Sequence, residues 1–137
     1  NVVCPEVTFK AEARSTSVEE LNAQVDHMCS EIEAAATRWG AQAKIDHHRH
    51  YVSYDLSEDS KVIQLAQKAA RNLGHSGDLR TTLGGSDANI YNTKGLPCIV
   101  VATGMEKIHT HEEFISRKDL ISTTELVIEI IREAAKS

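Results

Sequence analysis

The run LPCIVVATGMEKIHTHEEFIS, residues 96–116, changes character twice within its length. It begins with Cys98, Ile99, Val100 and Val101, an unbroken apolar stretch of the kind found in a strand covered on both faces. It passes through Gly104 into a polar segment holding His109, His111, Glu112 and Glu113. It closes on Ser116, three residues ahead of Asp119, which is the spacing of a helix-capping pair. Buried strand, polar loop and capped helix follow one another in α/β folds. In an open sheet of that class ligands gather beyond the carboxyl ends of the strands, where this loop would lie.

The pattern extends in both directions. After Ser116, Leu120, Ile121, Leu126, Val127, Ile130 and Ile131 form a stripe that predicts a last helix. Before Leu96, GSDANIYNTKG (85–95) reads as a short helix or turn closed by Gly95, and DLRTTLG (78–84) as a short strand. LSEDSKVIQLAQKAARNLG (56–74) predicts a helix with Ser57 or Ser60 as its cap and Gly74 as its stop. AKIDHHRHYVSYDL (43–56) alternates as a long strand. Val18, Leu21, Val25, Met28, Ile32, Ala35 and Trp39 recur at helical spacing behind a cap among Ser15, Thr16 and Ser17. VTFKAEARS (7–15) alternates as a half-buried strand with Pro5 just before it. The order is β-α-β, then α-β-α-β-α. The change from half-buried to doubly covered strands places a domain boundary near residues 55–57, with 1–56 and 57–137 on either side.

Composition narrows the function classes. The 137 residues carry a formal charge of -5 and no long run of Lys or Arg, which argues against nucleic acid or an anionic membrane as partner. No apolar stretch approaches the roughly 20 residues needed to cross a bilayer. Cys4, Cys29 and Cys98 are odd in number and far apart, so a disulfide scaffold is a poor reading and a reducing cytoplasm a better one. The first residues, NVVCPEVTF, read as a chain already under way.

Three clusters carry candidate chemistry. In DHHRHY (46–51), His48 and His50 share one strand face with Asp46 while His47 points away, which suits a solvated or dimer-facing surface better than a metal site. In LGGSDANIY (83–91), two glycines permit close backbone approach, and Ser86 or Asp87 opens a helical turn; substrate contact and an ordinary cap both fit. In 104–116, His109 and His111 are each able to offer a neutral imidazole to zinc, with Glu112 or Glu113 to orient it; a polar loop ahead of the Ser116 cap is the alternative. His27 and His75 read as incidental. No complete catalytic constellation, such as H-E-x-x-H or G-x-S-x-G, is present.

Taken together, TTLGGSDANIYNTKGLPCIVVATGMEKIHTHEEFIS (81–116) and the capped amphipathic helix after it resemble the C-terminal end of the dinuclear-zinc peptidases. This is the family of peptidase T, its tripeptidase-like relatives, glutamate carboxypeptidase and succinyl-diaminopimelate desuccinylase. The likeness is closest to the peptidase T-like branch, where a Gly-Gly-Ser-Asp-Ala-Asn turn and a His-Thr-x-Glu-Glu-Phe ending occur together. NVVCPEVTFKAEARS (1–15) is similar to a stretch of the family's lid domain that carries an Asn and, one strand later, an Arg.

The resemblance implies an α/β chain. Residues 1–56 would be the second half of an α+β lid and dimerisation domain, and 57–137 the C-terminal portion of the α/β catalytic domain. It implies His109, rather than His111, as a ligand of one of two zinc ions, because of its spacing to Glu113 and Phe114. It implies Asn1 and Arg14 as contacts to the substrate carboxylate, and Gly85, Ser86 and Asp87 as a wall of the substrate pocket. Arginine suits that task because its planar fork pairs with a carboxylate through two hydrogen bonds. The parent would be a cytoplasmic, homodimeric, zinc-dependent exopeptidase, a tripeptide aminopeptidase acting on short peptides. The segment itself would be inactive, with no catalytic residue of its own, since the remaining ligands and the general base lie outside it. An amidohydrolase of N-acyl amino acids and a non-catalytic dimerisation module are the alternatives.

Overall fold

The structure, a computed structural model, describes residues 1–136. Four helices carry its regular structure: α1 (Val18–Arg38), α2 (Lys61–Asn72), α3 (Asp87–Thr93) and α4 (Arg117–Ala134). Each starts at or beside a serine expected to cap it, but the caps are built differently. Ser17 accepts the Glu20 N–H at 3.2 Å, and Glu19 and Glu20 in the first turn complement the helix dipole. Ser60 holds the cap position of α2 without a hydrogen bond from its hydroxyl to the helix N–H groups. Ser116 accepts the Asp119 N–H at 3.0 Å and donates its own hydroxyl proton to the Asp119 carboxylate at 2.6 Å. The reciprocal capping box falls instead at α3, where the Ser86 N–H donates to the Asn89 side chain at 3.0 Å and Ser86 Oγ accepts in return.

The expected strands at 7–15, 43–56, 78–84 and 96–104 do not form: among the described residues the one β-type pairing is the isolated bridge between Glu106 and Phe114. A helix satisfies its N–H and C=O groups from within its own segment, whereas a strand needs a second segment alongside. No described segment lies in register beside these four. The stretch expected to be covered on both faces shows the consequence, with Val100 56% exposed and its neighbours half-buried. The chain is therefore mostly helical, and the α/β expectation holds for its helices alone.

Two compact units divide the chain, Asn1–Ser53 and Tyr54–Ser137. In the first, the stripe of Val18, Leu21, Val25, Met28 and Ile32 is half-buried, but it ends one residue off the expected track. Ala36 replaces Ala35, and Trp39 is exposed. Arg49, from the segment after the helix, donates to the Asn22 side chain.

The second unit packs α2 against α4. Ile63, Ala69 and Ala70 of α2 are buried there. Small alanines let the helices approach, and polar groups close the contact: Asn72 Nδ2 donates to Glu129 at 2.9 Å and Glu133 at 3.3 Å. Glu133 is only 3% exposed, and the ammonium groups of Lys68 and Lys136 each reach its carboxylate at 2.6 Å. Those cations hold the Glu133 carboxyl well below the ordinary range, at about 2, with the hydrogen bond from Lys136 contributing most.

On the same unit, one side chain fastens α3 to the segment that follows it. The Asn92 amide donates to Ala88 O at 2.8 Å and Cys98 O at 2.7 Å, and accepts the Cys98 N–H at 3.1 Å. Thr123 Oγ1 of α4 donates to Thr103 O at 3.4 Å further along.

Candidate functional site

The polar run after Thr103 folds into a closed loop. Gly104 opens it at φ 78°, lying so close to α4 that an added Cβ would stand 2.9 Å from Asp119 Cβ. The Glu106 N–H donates to Phe114 O at 3.0 Å, and the Phe114 N–H returns to Glu106 O at 3.3 Å, so the loop's two ends are paired. Inside it, Thr110 donates to Lys107 O twice, from its hydroxyl at 2.7 Å and its N–H at 3.2 Å. The Glu113 N–H donates to Thr110 O at 3.2 Å, and Lys107 pairs with the Glu112 carboxylate.

At the tip, Lys107 and His109 adopt positive φ, 51° and 65°. A residue with a side chain is uncommon there, and it persists where the surroundings hold it. For His109 the hold is visible: its N–H donates to Glu113 Oε2 at 2.7 Å. Sequence reasoning assigned Glu112 or Glu113 to orient the imidazole ring. The contact instead runs from Glu113 to the main chain, while Glu112 serves Lys107. The left-handed positions at Lys107 and His109 leave no mark in composition or periodicity, so the sequence did not disclose them.

The other expected residues fall in several places. Gly85, Ser86 and Asp87 form the turn into α3, within the same unit as His109. Ser86 is committed to the capping box, and Asp87 occupies the first helical position. Asn1 is exposed at the start of the first unit, and Arg14 lies in that unit as well. Arg14 Nε donates to the Glu12 carboxylate. This hydrogen bond, with the attraction between the two charges, raises the guanidinium above its ordinary pKa and lowers the Glu12 carboxyl. The strand expected to put His48 and His50 on one face does not form, although their rings meet edge-on with centres 4.3 Å apart. His75 is less incidental than expected, since its Nε2 lies 3.1 Å from Ser122 Oγ and joins the end of α2 to α4.

An exposed imidazole on a fixed loop is a donor that suits zinc. Among the described residues, however, no group of three His, Cys, Asp or Glu side chains converges as a metal ion requires. His109 is able to offer one such donor from the loop.

The chain is similar to proteins of known sequence and structure. The chain is 40% identical over 136 residues to an uncharacterized protein, YqjE, of Bacillus subtilis (strain 168), covering 99% of this chain and 37% of that protein. It is 26% identical over 107 residues to a peptidase T of Bacillus pumilus (strain SAFR-032), covering 78% of this chain and 26% of the relative. The crystal structure of a tripeptidase from Staphylococcus aureus superposes with a TM-score of 0.80 at 35% identity, over 90% of this chain and 33% of that one. Aminopeptidase PepT from Bacillus cereus ATCC 10987 gives a TM-score of 0.70 at 34% identity, over 87% of this chain and 32% of that one. The chain thus spans about a third of the length of such relatives. Its backbone follows that of the matching third of the tripeptidase and of PepT. The sequence matches the description of peptidase family M20/M25/M40 over residues 3–133, and the chain belongs to that family.

Proposed function

We propose that this chain is the C-terminal part of a cytoplasmic, zinc-dependent exopeptidase of the peptidase T type, a tripeptide aminopeptidase. The likeness to the Staphylococcus aureus tripeptidase, at TM-score 0.80 over 90% of the chain, is the observation that carries this reading. Residues 1–56 supply the second half of the lid and the homodimer contact, and 57–137 supply the end of the catalytic domain. No helix of the described residues is long and apolar enough to cross a membrane.

In this reading His109 is a ligand of one of two zinc ions. Zinc, when bound, supplies Lewis acidity at the scissile carbonyl. This chain's own residues bind and orient. Arg14 and Asn1 take the substrate carboxylate. For Arg14 that means exchanging an internal partner, Glu12, for an external carboxylate of the same chemistry. The turn of Gly85, Ser86 and Asp87 walls the pocket, and its capping box keeps that wall rigid.

The test is a chimera in which this chain replaces the matching third of the Staphylococcus aureus tripeptidase. It is expected to hydrolyse a simple tripeptide, whereas the chain alone with added zinc does not. In the chimera His109→Ala lowers kcat/KM by roughly 100-fold or more, since loss of even an outer partner of a metal ligand costs ~10–100-fold. His111→Ala leaves it unchanged. Equal losses from the two substitutions, or none from His109→Ala, would overturn the assignment. A chimera that prefers N-acyl amino acids would make the protein a deacylase instead.

A further inference from the structure

We propose that Glu113 is a positioning residue: its carboxylate sets the left-handed backbone of His109, and with it the direction in which the imidazole is offered to metal. This deepens the function proposed above and rests on His109 as a ligand. The argument begins with the loop's frame. Glu113 is fixed on both sides, by its own N–H to Thr110 O at 3.2 Å and by the pairing of the next residue, Phe114, with Glu106. Its carboxylate therefore projects from an anchored base, and it grips the His109 N–H at 2.7 Å. A bond from an N–H to a charged carboxylate is about twice as strong as a neutral one.

The grip also falls at the residue whose conformation most needs it. His109 sits at φ 65°, where a side chain is tolerated only under constraint. The remaining bonds of the loop, Thr110 to Lys107, Lys107 to Glu112 and the Glu112 N–H to Thr110 Oγ1, close the turn around position 109 without touching it. Rotating φ from 65° to an ordinary negative value swings Cβ to another side of the loop, so the same rotamers of the imidazole would reach a different point. A metal ion held by several ligands requires its donors in place to within a fraction of an ångström. Glu113 thus acts through the main chain, unlike the familiar partner that holds a ligand's second ring nitrogen.

The experiment uses the full 137-residue chain labelled for NMR, comparing wild type, Glu113→Ala, Glu113→Gln and Glu112→Ala. Two readouts are taken: the backbone shifts of residue 109, which report φ, and the response of the His109 ring signals to zinc alone. The expected result is that Glu113→Ala returns residue 109 to negative φ and weakens its zinc response by roughly tenfold, the lower end of outer-partner effects. Glu113→Gln, which keeps an acceptor oxygen, restores both, and Glu112→Ala alters neither. A positive φ that survives Glu113→Ala overturns the proposal, as does a lost φ with an unchanged zinc response. A wild-type ring that ignores zinc while His111 responds sinks the ligand assignment itself; the backbone shifts still judge the hold of Glu113 on the loop.

Discussion

Replacing Gly104 by alanine tests the junction between the histidine loop and α4. Two costs add. The residue would hold φ 78°, which for a side-chain-bearing residue costs roughly 1–2 kcal/mol. Its Cβ would also stand 2.9 Å from Asp119 Cβ and 3.0 Å from Asp119 Cγ, well inside normal contact, and overpacking of this kind costs about 1–3 kcal/mol. Asp119 cannot simply rotate aside, because its carboxylate takes the Ser116 hydroxyl proton at 2.6 Å and its N–H completes the cap of α4. The sum is about 2–5 kcal/mol. Gly95→Ala is the internal control: φ is nearly the same, 77°, but nothing stands within 4 Å of the added carbon. It therefore bears the backbone cost alone, about 1–2 kcal/mol. At ~4–8 °C per kcal/mol for a domain of this size, Gly104→Ala should lower the melting temperature by roughly 10 °C or more and Gly95→Ala by about half as much. Thermal unfolding followed by circular dichroism decides it. Equal drops for the two variants would mean that the Asp119 contact yields without cost, and the account of the loop's closure would fall.

Other outcomes follow from single groups. Glu133 has a folded pKa of about 2, below its unfolded value, so its contribution is complete above pH ~4.5 and fades as pH falls toward 2. Glu133→Gln should flatten the dependence of melting temperature on pH in that window; an unaltered slope would show that Lys68 and Lys136 do not act through it. Asn92→Ala removes three hydrogen bonds, two of them to Cys98, and should cost about 1–3 kcal/mol by denaturant titration, because half-buried main-chain groups lose a partner. A loss below ~0.5 kcal/mol would mean that water replaces the amide freely.

The sequence disclosed what each segment settles internally. Helices α1, α2 and α4, with serines among their candidate caps, follow from spacing and cap chemistry, because a helix is bonded within itself. Residues 85–95 read equally as a short helix or a turn. The alternation at 7–15 and 43–56 is just as regular, yet it specifies only a readiness to pair. Val7 and Phe9, at 74% and 65% exposed, show that readiness unmet. In the candidate site the split is similar. Two histidines after an apolar run, with Glu113 four residues beyond His109, single out residues 104–116 as the candidate loop. The positive φ of His109 and the main-chain role of Glu113 come from how the loop closes, which no residue type announces.

The Asn92 amide presents to Cys98 a donor and an acceptor side by side, the same face that a neighbouring strand would show. One side chain thus stands in for a length of sheet, and it ties together two pieces of chain. The turn of Gly85, Ser86 and Asp87 leads into the helix that bears Asn92, and the segment leaving Cys98 runs on to Gly104 and the histidine loop. The amide therefore braces the turn into α3 and the segment that runs on to the histidine loop against one another through a single side chain.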